Sequence, residues 1–221
     1  MAPHAPTREG TATRRIAFAL SLAVACVGCS AGGLRPGVRG DTNPRLDDRA
    51  YHAALEQVTR YDSCYDGFDS RAHFAVTYQS EAFREARAIA TARMQGMTRA
   101  DEEAAIARER EEGAATIEFL VSLYTPILEW NEMGTPRSIW AIEIPRVDAA
   151  PVPPSSIERI ARPDANLRAL YPYVTPFNAT YRLRFPRVDA DGLAVPGPDT
   201  PELVLQIASS LCTITPSWES R

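Results

Sequence analysis

The sequence predicts a mainly β fold with an α insertion: an antiparallel β-sandwich carrying an inserted αα-hairpin and a short N-terminal helix. Three observations lead there. Apolar residues alternate with polar ones in Ile117-Phe119-Val121-Leu123 and in Ala179-Tyr181-Leu183-Phe185, the period of a strand with one buried face. Prolines crowd the chain from Pro145 to Pro201, which excludes long helices there and suits short strands joined by turns. Between about residues 80 and 112 the pattern turns helical, with a cap or a stop at each end.

The elements follow in order. Asp47 or Asp48 is placed to cap a helix whose apolar stripe is Tyr51, Leu55, Val58 and Tyr61, ending near Cys64 in a turn-rich run to Ser70. Phe74, Val76 and Tyr78 predict the first strand. Ser80 caps a helix to about Gln95, and Gly96 stops it. Thr98 with Asp101 forms a capping box for a second helix, which Gly113 closes. Strands are then expected at Ile117–Leu123, Trp140–Ile144, Ala179–Phe185 and Leu203–Ile207, with a fifth at Leu211–Ile214. Residues 157 to 170 hold an irregular strand and a helical turn, and Asp191-Gly192 marks a hairpin turn. Ile144-Pro145-Arg146-Val147-Asp148-Ala149 is echoed by Phe185-Pro186-Arg187-Val188-Asp189-Ala190, too briefly to define a repeat.

The N-terminus has its own logic. Arg8, Arg14 and Arg15 precede the apolar run Ile16–Val27, which is too short to span a bilayer and is followed by small residues. This arrangement resembles a bacterial lipoprotein signal. The resemblance implies cleavage and lipid modification at a cysteine, with Cys29 preferred and Cys26 the alternative. Residues 1–28 are then the signal peptide, 29–46 a lipid-anchored flexible tether rich in Gly, Pro and Arg, and 47–221 one globular domain. Cleavage before Cys29 leaves Cys64 and Cys212 as the remaining cysteines, an even number, so a disulfide between them is expected in an oxidising compartment. Ser30 lacks the acidic character that resembles an inner-membrane retention signal, so the resemblance implies the outer membrane, facing the periplasm or the surface.

Composition excludes several chemistries. All 24 basic residues are arginine, so no lysine is available for a Schiff base or a phosphate-binding loop. The net charge of -4, with arginines mixed among acids, does not make the basic face that nucleic acid requires. His52 and His73 stand outside any metal-ligand spacing, and no nucleophile-elbow motif is present. Asp62, Asp66 and Asp69 around Gly67 do not follow a calcium-loop pattern, and neither do Asp189 and Asp191. The pairs Glu102-Glu103 and Glu111-Glu112 lie on helix faces expected to be solvated. Asn178-Ala179-Thr180 matches a glycosylation sequon and is read as accidental. Neither a cofactor nor a metal is expected.

One segment invites a binding role. Tyr171-Pro172-Tyr173-Val174-Thr175-Pro176-Phe177 combines aromatics and prolines, so Tyr171, Tyr173 and Phe177 form a candidate recognition surface; the competing reading is a loop whose rings plug one end of the sandwich. With Tyr181–Arg187 and Trp218, this segment resembles a group of uncharacterised bacterial lipoproteins over most of residues 70 to 218. That resemblance implies no activity and transfers no functional residue. The expectation is an envelope lipoprotein that acts as a non-enzymatic binding or structural module. Its partners are the membrane, through the anchor, and an envelope protein or polymer. The alternative is a hydrolase acting on a cell-envelope polymer.

Overall fold

The computed structural model describes residues 49–147, 149–189, 191–197 and 200–219. Cys26, Cys29, the signal segment and the tether lie outside the described residues. The fold is mainly β, in antiparallel sheets with helical insertions, as the alternation predicts.

The chain enters through α1 (Arg49–Val58), which buries Tyr51 and Leu55, one turn apart on a single face. The expected helix continues to Cys64, but the structure turns it into a strand at Thr59. That strand, β1 (Thr59–Asp66), forms a hairpin with β2 (Asp69–Tyr78), from Thr59 opposite Thr77 to Asp66 opposite Asp69. Tyr61, expected on the helical stripe, sits instead in a strand, opposite Ala75. Gly67 takes φ 60° in the tight connection, a conformation without steric cost only for glycine.

The helical hairpin is as predicted in type and extent, but it follows the second strand. In α2 (Glu81–Gln95), Ser80 Oγ accepts from Phe83 N, and Gly96 ends the helix in the left-handed region with its N–H on the Ala92 and Arg93 carbonyls. In α3 (Arg99–Ala115), Thr98 Oγ1 accepts from Asp101 N and donates to the Asp101 carboxylate. Gly113 does not close this helix; it lies inside it, buried. A Cβ there would stand 3.1 Å from Cδ of Arg84, so the residue serves close packing rather than termination.

From α3 the chain enters β3 (Thr116–Tyr124), then β4 (Ala141–Glu143), β5 (Ser156–Arg159), α4 (Ala165–Leu170) and β6 (Ala179–Pro186). It closes with β7 (Glu202–Val204), β8 (Gln206–Ala208), β9 (Thr213–Ile214) and β10 (Ser217–Glu219). The central sheet has the order β1-β2-β3-β6-β5; β4-β8-β9 and β10-β7 make two smaller sheets. The expected single strand Leu203–Ile207 is therefore split. Leu203 pairs with Trp218 and Ile207 with Ile142, while Leu205 between them is fully buried.

Two apolar clusters hold these layers. On one face of the central sheet, Phe74, Val76, Phe119, Val121, Tyr181, Leu183 and Phe185 pack with Ile142, Ile207 and Trp218 of the smaller sheets and with Trp140, which precedes β4. On the other, Ala75 and Leu120 pack with Tyr51, Leu55, Phe83, Leu170 and the Tyr171–Val174 loop. The sequence reading gave these strands one polar face; for β3 that is corrected, since Ile117 through Leu123 are all buried. The off-face positions Glu118 and Ser122 are interior too, Glu118 against Arg84 of α2 and Ser122 under Asn178 of the loop before β6, and interior polar groups must be paired.

Cys64 and Cys212 form a disulfide with Cα atoms 6.1 Å apart. It fastens β1, not the early helix, to the segment just before β9. The two echoed motifs meet: Arg146 of the first pairs with Asp189 of the second. Ile144 bridges Val152 and Val188 bridges Ala194, so each motif leads into a chain reversal. Asp148 lies outside the described residues. Among those residues, no helix is long and apolar enough to cross a membrane.

Candidate functional site

Strand register builds the most distinctive concavity. Tyr61, Ala75 and Ser122 stand side by side on β1, β2 and β3, and His73 and Tyr124 form the next row. The 173–178 loop supplies the facing wall, with Tyr173, Thr175, Phe177 and Asn178. The cleft encloses about 430 Å³. Among the described residues, no charged one lines it. Its aromatic rings come from four places in the sequence, three of them paired strands and the fourth the 173–178 loop.

The wall is held by a compact set of hydrogen bonds. Asn178 Nδ2 donates to Ser122 Oγ at 2.9 Å and to the Tyr173 carbonyl at 3.1 Å. Its Oδ1 accepts from Thr175 Oγ1 at 3.0 Å. The sequon asparagine thus fastens the loop to β3. Beneath it, the Tyr173 hydroxyl shares a 2.5 Å hydrogen bond with Thr77 Oγ1, which is also bonded to Thr59 Oγ1 at 2.8 Å. The Tyr171 hydroxyl donates to Gln79 Oε1 at 3.0 Å, and Arg87 donates to both groups.

Of the expected surface, Tyr171 and Tyr173 are 1% and 2% exposed, whereas Phe177 is 79% exposed. Tyr171 belongs to the helical core and is withdrawn from the recognition surface. Tyr173 is buried yet lines the cleft, with its ring edge-on to Tyr61 at 6.1 Å. Phe177 alone of the three projects freely. Tyr61 and Tyr124 were not anticipated; the cue was in the tyrosines themselves, but nothing local told β1 from a helix.

Burial pushes the Tyr51, Tyr173 and Tyr181 hydroxyls above the ordinary tyrosine value of 10.0. The folded state therefore keeps protons that the unfolded chain releases. The sign of the linkage is a stabilisation complete below that value and lost as pH climbs above it. Urea midpoints measured against pH are expected to fall steeply on the alkaline side. Tyr173→Phe, which has no phenol to ionise, should flatten the fall while costing about 1 kcal/mol at neutral pH for its lost hydrogen bond.

His73 Nδ1 and Nε2 lie 2.8 Å and 2.6 Å from the hydroxyls of Ser63 and Ser70, with Tyr65 and Tyr124 against the ring. Desolvation holds its pKa below 6.5, so the neutral ring donates to one serine and accepts from the other. Neither serine lines the cleft. His52 sits half-buried on α1, its ring edge-on to Tyr51 at 5.9 Å.

The acids are also accounted for. Asp62 accepts from Ser63 N, Asp66 pairs with Arg71, and Asp189 accepts from the backbone N–H groups of Leu193 and Asp191. Those bonds, with Leu193 foremost and Arg146 assisting, hold Asp189 below the usual carboxylate range. Among the described residues, no group of three His, Cys, Asp or Glu side chains is arranged to hold a metal ion. Glu109 and Glu118 are the best-buried acids near one another, and both converge on Arg84, at 3.1 Å and 3.5 Å, rather than facing across a cleft.

Comparisons with protein families, with curated proteins and with solved structures found no match.

Proposed function

We propose that this chain is a non-enzymatic binding module of the bacterial cell envelope, tethered to the outer membrane through a lipid on Cys29, with Cys26 the alternative. The cleft carries the binding part of the reading: four rings, Tyr61, Tyr124, Tyr173 and Phe177, around a floor without charge. Concave, apolar sites with a few fixed polar groups are the usual form of a ligand site. Here the polar groups are the Asn178 amide and the Ser122 and Thr175 hydroxyls, already oriented by one another. A cross-link within the domain suits an oxidising compartment. Hydrolysis is the less supported reading, because the serines at His73 lie off the cleft and the buried acids are engaged by arginine.

Two measurements test the proposal together. Palmitate labelling is expected on the wild-type chain and absent from Cys29→Ser, with the label and the chain both in the envelope fraction. Tyr61→Ala and Phe177→Ala are each expected to weaken retention of a solubilised envelope component roughly tenfold, since exposed aromatic anchors dominate such contacts. An unlabelled, cytosolic chain would remove the envelope role. Breakdown of an envelope polymer that is lost in Ser70→Ala would establish the hydrolase instead.

A further inference from the structure

A second depression, of about 450 Å³, adjoins the aromatic cleft, and its lining differs in kind: Arg159, Arg162 and Arg168 contribute to it and, among the described residues, no carboxylate does. Thr175 and Asn178 line both, so the two are separated only by the short 175–178 segment. Arg159 is already paired with Glu132. Arg162 and Arg168 meet no carboxylate among the described residues; Arg168 is steadied by donating Nε and Nη2 to the Pro163 carbonyl at 3.1 Å and 2.8 Å. An uncharged aromatic slot therefore opens beside a pocket of uncompensated positive charge, in a protein whose net charge is -4.

Resting on the binding role proposed above, we infer that the paired depressions hold one ligand, an acidic saccharide. Its ring lies in the cleft and its carboxylate or phosphate meets Arg162 and Arg168. The chemistry matches on both sides. A sugar ring has an apolar C–H face for aromatic rings and hydroxyls for Asn178 and Thr175, and a planar guanidinium pairs with carboxylate or phosphate through two parallel bonds. A plain hydrocarbon leaves the arginines without a partner, and a neutral sugar uses only half of the lining.

Calorimetric titration of the whole mature protein tests this, with a neutral oligosaccharide, a uronic-acid oligomer and a sugar phosphate as probes. At least one acidic probe is expected to bind about tenfold or more tighter than the neutral one. Raising salt should erode that margin. Which acidic probe binds tighter separates carboxylate from phosphate recognition. Arg162→Gln with Arg168→Gln should bring the acidic probe down to the neutral level, while Phe177→Ala weakens both. All three side chains are exposed, so the variants are expected to fold, and thermal melts check that they do. Equal binding of neutral and acidic sugars would overturn this inference and leave the cleft intact. Binding of an acidic, aromatic-containing peptide but of no saccharide would overturn it in favour of a protein partner. If no probe binds and Phe177→Ala leaves envelope retention unchanged, the binding role itself fails.

Discussion

Replacing both bridging cysteines, as Cys64→Ala with Cys212→Ala, is expected to lower the free energy of unfolding by about 2–4 kcal/mol. The bond closes a loop of 148 residues. In the chain-entropy treatment, a loop of that size restricts the unfolded ensemble by about 5 kcal/mol, and measured effects usually fall short of the entropic figure. For a domain of this size the loss corresponds to a melting-temperature drop of roughly 10 °C. Urea unfolding without reductant is the measurement. The wild-type protein unfolded in reductant separates the cross-link from the small void left by truncating the buried Cys64. A greater dependence on urea concentration is also expected, because an uncrosslinked chain exposes more surface when it unfolds. Equal midpoints for the bridged and bridgeless proteins would show that the bond restrains nothing the fold does not already fix.

That pairing was legible from parity alone, whereas the place it fastens was not. Strands were legible where they are long and alternate, as in β3 and β6, and the helical hairpin was legible from Ser80, Gly96 and the Thr98–Asp101 box. β1 was missed because Tyr51, Leu55, Val58 and Tyr61 keep a helical spacing across the point where the chain changes conformation. Its Thr59, Tyr61 and Ser63 row is largely polar and only partly buried, so hydrophobic alternation never signals a strand. What makes it one is the ladder to β2, a contact between distant residues that local propensity does not contain. The three-residue β10 falls below the length at which a period can be counted, while β5 was legible only as an irregular strand and β7 and β8 only as one continuous strand.

The site was legible in part for the same reason. The aromatic segment after α4 was singled out, but sequence does not distinguish a ring that fills the core from one that projects. Tyr171 is drawn inward by Gln79 and Arg87, Tyr173 by Thr77, and Phe177 has no such partner and stays outside. The rest of the cleft comes from three strands brought together by register. Gly113 is a similar case: its meaning is set by Arg84 across the helical hairpin, not by its own neighbours.

Glu118→Ala is expected to destabilise the protein by about 3–5 kcal/mol, the range for breaking a buried ion pair. Arg84 is 1% exposed, and Glu118 is 5% exposed. Glu118 lies 3.5 Å from Arg84, 3.4 Å from Arg182 and 3.1 Å from Arg184, so one carboxylate answers three guanidinium groups. Removing it leaves Arg84 with Glu109, with the more exposed Glu112, and with the Gln79 carbonyl, accepting from Nε at 3.1 Å. Its Nη2 has no hydrogen-bond partner among the described residues, so the loss falls on a group that solvent cannot reach. Glu158, exposed on β5, still pairs with Arg182 and Arg184, and those two arginines adapt at the surface. The cost therefore concentrates on Arg84. It follows that Arg84→Met in the Glu118→Leu background should recover part of the stability, because an apolar pair has no charge left to compensate. Recovery stays incomplete, since Arg84 also joins α2 to Glu109 of α3, and a methionine cannot. Urea unfolding of the wild type, the two single variants and the double gives the coupling directly. A Glu118→Ala midpoint close to wild type would mean that water reaches the network and that these charges act as an ordinary surface cluster.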